Sequence, residues 1–168
     1  MKGRPVLIDR ALTSELAELH PASFAWALAC CGFERQEAED VLQTTYEKIL
    51  DGRARFDGRS SLKTWLFAVV RHTAADLRRR RLVASLGLER LFASLVRAEP
   101  DEPAVGSEER AKVRAALARL SRRQREVLDL VFYHDFTVEE AARIMNVSVG
   151  SARVHYQRGK QRLQEELR

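Results

Sequence analysis

The chain has 168 residues, 45% hydrophobic, 32% charged and 7% aromatic, which suits one ordinary domain or two small ones with enough apolar residues to bury a core. Its longest apolar run, Phe24 to Phe33 with Gly32 inside it, falls far short of the roughly 20 residues a membrane span needs, and four Pro and eight Gly are too few for a fibrous or low-complexity chain. A formal net charge of +5 points only weakly to a polyanionic partner.

From the N-terminus, Met1 to Asp9 offers two basic residues but no long apolar stretch and no small-residue cleavage site. A secretory signal is therefore not expected, and the expectation is a cytoplasmic protein without membrane insertion. A first helix is predicted from Leu12 to Cys31, broken or kinked at Pro21. Cys30 and Cys31 are adjacent, which fits neither a disulfide framework nor the paired spacing of a zinc site, and the four histidines are scattered. No metal centre and no cofactor site is expected. The cysteines read as plain helix residues, with redox sensing the alternative.

Next, Ala38, Val41, Leu42, Thr45, Tyr46, Ile49 and Leu50 recur at helical spacing, while Asp40, Gln43 and Glu47 share a different, acidic face. A further helix follows Phe56-Asp57-Gly58-Arg59-Ser60-Ser61, where Gly and Ser supply the turn and the cap. Its apolar stripe is Leu62, Trp65, Leu66, Val69, Val70 and Leu77. Lys63, Arg71 and Arg78 fall elsewhere, and the helix runs out in four arginines, Arg78 to Arg81. No segment alternates with period two, so no sheet is expected.

Charge is unevenly distributed: residues 1–81 carry 14 basic and 11 acidic side chains, residues 82–109 carry 2 and 6, and residues 110–168 carry 13 and 7. The acidic stretch holds Pro100 and Pro103 and reads as a flexible linker, because Pro and like charges resist packing. These features predict an all-α protein of two small helical domains: a tail over 1–11, a first domain over 12–84, a linker over 85–108 and a second domain over 109–168.

In the last segment, Ser121 with Gln124 and Thr137 with Glu140 form capping boxes, and Ser148 can cap a final helix. A turn opened by Asn146, a residue that tolerates the left-handed conformation, separates the last two helices at helix-turn-helix spacing. In the final helix Val149, Ala152, Tyr156, Gly159, Leu163 and Leu167 would pack inward. Ser151, Val154, His155, Arg158 and Arg162 then share the outward face, a pattern suited to the major groove of DNA. The competing reading is a solvated helix end, since late basic residues favour the helix dipole and helix-turn-helix look-alikes occur in proteins that bind no DNA.

Two long motifs together narrow the choice. Glu37-Ala38-Glu39-Asp40-Val41-Leu42-Gln43-Thr44-Thr45-Tyr46 with Phe56 to Leu66, and then Leu120-Ser121-Arg122-Arg123-Gln124-Arg125-Glu126-Val127-Leu128 with the helix-turn-helix, resemble the extracytoplasmic-function group of sigma-70 family sigma factors. The resemblance spans roughly residues 12 to 81 and 108 to 168. It implies a sigma region 2-like bundle and a region 4-like helix-turn-helix domain that bind core RNA polymerase and direct it to promoters. By that likeness Asp40, Gln43 and Glu47 dock a coiled coil of the largest polymerase subunit, and the polymerase flap region is a second contact. Arg53, Arg55, Asp57, Gly58, Arg59 and Ser60 lie in the segment that captures a flipped base of the minus-ten element. Lys63, Arg71, Arg78 and Arg79 would grip the separated strand.

The final helix resembles the reader of the minus-thirty-five element, with Ser148, Gly150, Ser151, Arg153, Val154, His155, Arg158 and Arg162 at the interface. Members often carry Ser-Arg where this chain has Val154-His155, so the preferred sequence stays open; Val154 can touch a thymine methyl and His155 can offer one hydrogen bond. The resemblance further implies an anti-sigma factor as partner, and a monomer when free. Nothing in the chain forms an enzyme active site, so the polymerase must supply the chemistry. Two alternatives stay open: a sigma mimic that sequesters an anti-sigma factor without binding DNA, and a dimeric helix-turn-helix regulator, which leaves the first motif unexplained.

Overall fold

A computed structural model describes residues 10–92 and 108–168. The tail 1–9 and the Pro100 to Pro103 portion of the expected linker lie outside the described residues. The chain divides into two compact units, Met1–Ala98 and Glu99–Arg168. The first holds α1 (Arg10–Cys30), α2 (Arg35–Leu50) and α3 (Leu62–Phe92); the second holds α4 (Glu108–Ala118), α5 (Arg122–Phe132), α6 (Val138–Met145) and α7 (Val149–Glu166). Among the described residues every regular element is a helix.

In the first unit the expected break at Pro21 is absent, and α1 continues as helix on both sides of it. A proline inside a helix costs about 3 kcal/mol through its missing N–H and its clash with the preceding turn. Burial of Leu16, Trp26, Ala27 and Cys30 on the face toward α2 and α3 offsets that cost. Trp26 is the anchor: its indole N–H donates to the carbonyl of Phe67 at 3.0 Å, and the two rings stack with centroids 5.9 Å apart. Cys30 ends α1 and Cys31 starts the turn; neither is in a disulfide.

The stripe expected on α2 is buried at Ala38, Val41, Leu42, Thr45 and Ile49. Leu50 departs from it and is 59% exposed. It is the last residue of the helix and rims an open hollow of about 440 Å³ between α1 and α2, lined also by Thr13, Leu16, Ala17, His20, Tyr46 and Ile49. Over that hollow the Tyr46 hydroxyl meets His20 Nδ1 at 3.0 Å, and partial burial raises the Tyr46 phenol above its ordinary value.

A turn with Gly58 at φ +74° leads into α3, where Ser61 Oγ accepts the backbone N–H of Thr64 at 3.1 Å and so caps the first turn. Leu62, Leu66 and Val70 are buried as expected, and Phe67, Thr73 and Ala74 join them. Because α3 packs against both α1 and α2, its buried arc is wider than a single stripe. Lys48 ties α2 to α3 from the side, donating to Thr73 Oγ1 at 3.1 Å and pairing with Asp76 at 3.4 Å. The helix continues to Phe92, into the span 85–108 read as linker; the helix-breaking prolines come only at 100 and 103.

The second unit is punctuated by its caps. Ser121 and Gln124 form a complete capping box at the start of α5, and Thr137 and Glu140 form another at α6. Ser148 Oγ accepts the N–H of Ser151 at 3.1 Å to start α7. Asn146 ends α6 with φ 53° and ψ 53°, the left-handed geometry the turn requires. Val127, Leu130, Ala141, Ile144, Met145 and Ala152 are fully enclosed in the core of this unit. Gly159 lets α7 approach α5 closely, since a Cβ there would lie 2.9 Å from Leu128 Cδ1. Two residues expected to pack inward do not: Val149 is 36% and Leu167 49% exposed. They occupy the first position of α7 and its C-cap, at the two ends of the helix.

Candidate functional site

On α7, Ser151, Val154, Arg158 and Arg162 are exposed together, and His155 is half-buried beside them. Ser148 and Gly150 are exposed at the helix N-terminus. This end of α7 therefore presents small groups and backbone first, an apolar Val154 next, and guanidinium groups further along. Such a surface can enter a major groove with its first turns and meet phosphates with its later ones. Arg153 is exposed too, but its guanidinium donates to Glu139 of α6 at 2.7 Å. That hydrogen bond holds the Glu139 carboxyl below the usual carboxylate range.

In the first unit, Asp40, Gln43 and Glu47 are exposed along one side of α2, and Gln43 donates to Glu47 at 3.2 Å. Arg81 reaches this face from α3, pairing with Glu37 and, at 3.3 Å, with Asp40. Neither the Glu37 contact nor the Arg81 bridge was visible in the sequence, because the two helices meet only in the fold.

The loop between α2 and α3 holds its charges in local pairs. Asp51 accepts from the Arg53 side chain at 2.6 Å and from the Arg53 backbone at 3.1 Å, which lowers the Asp51 carboxyl below its ordinary value and raises the Arg53 guanidinium above its own. Arg55 donates to the Gly52 carbonyl at 3.1 Å. Asp57 accepts the Arg59 N–H at 3.1 Å and pairs with its guanidinium at 3.3 Å. Ser60 donates to the Ser61 carbonyl, next to the α3 cap. At the base of the loop the exposed ring of Phe56 leans on Trp65, centroids 5.5 Å apart, and Trp65 itself packs on the cluster of Leu16, Ile49, Leu62 and Leu66. The Phe56–Trp65 contact was not visible in the sequence, because it joins the loop to α3 only in the fold.

Of the four basic residues read as strand-gripping, the structure keeps only part on the surface. Arg79 is exposed, and Lys63 is half-buried with its ammonium 5.8 Å from the Phe67 ring centroid. Arg71 is a correction: it is buried, at 8% exposure. Position 71 lies off the apolar stripe but inside the wide arc that α1 and α2 together cover. Arg78 donates to the Cys30 carbonyl at 2.6 Å, closing the C-terminus of α1, so it is committed to the fold as well.

Among the described residues no group of three or more His, Cys, Asp or Glu side chains is placed to hold a metal ion, and no helix is long and apolar enough to cross a membrane.

Comparison with known proteins matches residues 17–82 to sigma-70 region 2 and residues 110–163 to sigma-70 region 4. The chain is 30% identical over 132 residues to the ECF RNA polymerase sigma factor SigX of Bacillus subtilis, covering 75% of this chain and 68% of that protein. It is 29% identical to the ECF RNA polymerase sigma factor EcfG of Rhodopseudomonas palustris, covering 91% and 83%. Among solved structures, the sigma factor RpoE of Bartonella quintana, crystallised with the anti-sigma factor NepR, superimposes with a TM-score of 0.75 at 29% identity over 94% of this chain and 97% of that one. The chain belongs to the extracytoplasmic-function sigma factors of the sigma-70 family. Its work is that of an RNA polymerase sigma factor, a regulator of transcription initiation and not an enzyme, and α6 and α7 are the DNA-binding helix-turn-helix of its region 4.

Proposed function

We propose that this sigma factor binds core RNA polymerase, recognises a minus-ten and a minus-thirty-five element, and starts transcription of a specific stress- or signal-responsive gene set. The observation that carries the reading is the outward face of α7: Ser151, Val154, Arg158 and Arg162 are exposed on a helix whose start is set by the Ser148 cap and the left-handed Asn146. A few side chains at base edges choose the site, and the later arginines take phosphates. Asp40, Gln43 and Glu47 form the polymerase-docking face, opposite in sign to the net charge of the chain and suited to a basic coiled coil. The loop from Arg53 to Ser60 takes the flipped minus-ten base, with the half-buried Lys63 beside it at the start of α3 and the exposed Arg79 farther along the same helix as a grip for the separated strand.

An anti-sigma factor is the expected negative regulator, supported by the Bartonella relative, which was crystallised in complex with the anti-sigma factor NepR. The test is run-off transcription by core bacterial RNA polymerase, with and without this protein, on pooled promoter fragments from its own genome. Transcripts that appear only with the protein are the expected result, and their aligned start sites define both elements. Failure to bind polymerase at all would favour the sigma mimic.

A further inference from the structure

One acidic side chain in the helix-turn-helix pairs across to the neighbouring helix. Glu139 sits in the first turn of α6, yet the capping box there is closed by Glu140 with Thr137. Glu139 instead reaches across to α7 and engages Arg153 at 2.7 Å, with the two side chains 49% and 65% exposed. That ion pair occupies a guanidinium that would otherwise be available to any phosphate.

We propose that Glu139 is a selectivity residue, which holds Arg153 in an ion pair between α6 and α7 and so keeps that guanidinium off the phosphates of non-promoter DNA. The proposal rests on α7 being the DNA-facing helix. An exposed ion pair of this kind is weak and readily exchanged. Arg153 can therefore leave Glu139 where the correct base edges hold α7 in register, while on random sequence, where α7 has no fixed register, the intramolecular partner competes with the phosphate. Non-specific binding is the backbone-driven part of affinity, so the effect falls mainly on the wrong sites.

The experiment measures binding of the full-length protein to a scrambled duplex and to a promoter duplex over a KCl series, for wild type, Glu139→Gln, Arg153→Ala and the double variant. Glu139→Gln keeps the side-chain shape and leaves the Thr137–Glu140 box intact. Its affinity for the scrambled duplex should rise by roughly 3- to 10-fold at low salt, with the slope of log affinity against log salt steeper by about 0.9, the value for one added phosphate contact. Promoter affinity should rise less, so the ratio of the two narrows. With Arg153→Ala in place, Glu139→Gln should change neither quantity.

Scrambled-duplex affinity and slope equal to wild type in Glu139→Gln would overturn the proposal. So would a gain that persists without Arg153, which would mean the carboxylate acts on DNA directly. A wild-type protein that shows no preference for promoter DNA would count against α7 as the promoter reader, while the scrambled-duplex comparison still decides the role of Glu139.

Discussion

The two units use their arginines differently. In the first, Arg71 is buried, Arg78 closes α1 on the Cys30 carbonyl, Arg81 bridges to Glu37 and Asp40, and Arg53 and Arg59 are paired within their own loop. In the second, Arg119, Arg122, Arg123 and Arg153 are also engaged, with Glu166, Glu126, the Met145 carbonyl and Glu139, but Arg158 and Arg162 stand exposed on the outer side of α7. A basic run in a sequence is thus not a measure of the charge that DNA meets. The first unit incorporates much of its positive charge into the fold, whereas the second presents more of it along one helix face.

The strongest test of that division is in the core. Trp26→Ala removes the fully enclosed anchor of the first unit and should cost about 3–5 kcal/mol, read by denaturant unfolding. A loss below about 1 kcal/mol would mean that the Trp26–Phe67 contact does not organise the bundle. Arg71→Ala should destabilise by about 1–3 kcal/mol as a buried polar residue, whereas Arg79→Ala should stay within about 0.5 kcal/mol and weaken promoter binding instead. If both variants affect only DNA binding, the split between folding and surface arginines fails.

On the second unit, Thr137→Ala breaks the α6 box and should cost about 1 kcal/mol, read from the shift in thermal midpoint. Arg158→Ala should leave stability unchanged and lower the salt slope of holoenzyme binding to promoter DNA by about 0.9. An unchanged slope would remove Arg158 from the phosphate contacts. The smallest effect is expected at Asp51, whose carboxyl is lowered chiefly by its hydrogen bond from Arg53. Its support of the loop is present above the ordinary carboxylate range and is lost as pH falls through the lowered value. Arg53→Ala should move the Asp51 titration, followed by NMR, back upward.

Much of the second unit was legible because its signals are local. Ser121 with Gln124, Thr137 with Glu140, and Asn146 before the Ser148 cap each act within one helical turn, so spacing alone locates the helices and with them the outward face of α7. The acidic side of α2 was legible for the same reason: Asp40, Gln43 and Glu47 follow helical periodicity. The fate of the charged groups was not. Arg78 finds its carbonyl 48 residues away, Arg81 meets Asp40 across 41 residues, and Arg153 meets Glu139 across 14.

Periodicity likewise could not tell that α3 would be covered by two helices instead of one, which is why Arg71 reads as a surface residue and is a buried one. Residue order thus dictates an all-helical chain, its caps, its acidic and basic faces and its family. Which cations stay in solvent to meet DNA depends on packing between distant helices, because burial and ion pairing arise from contacts that neighbouring residues do not encode.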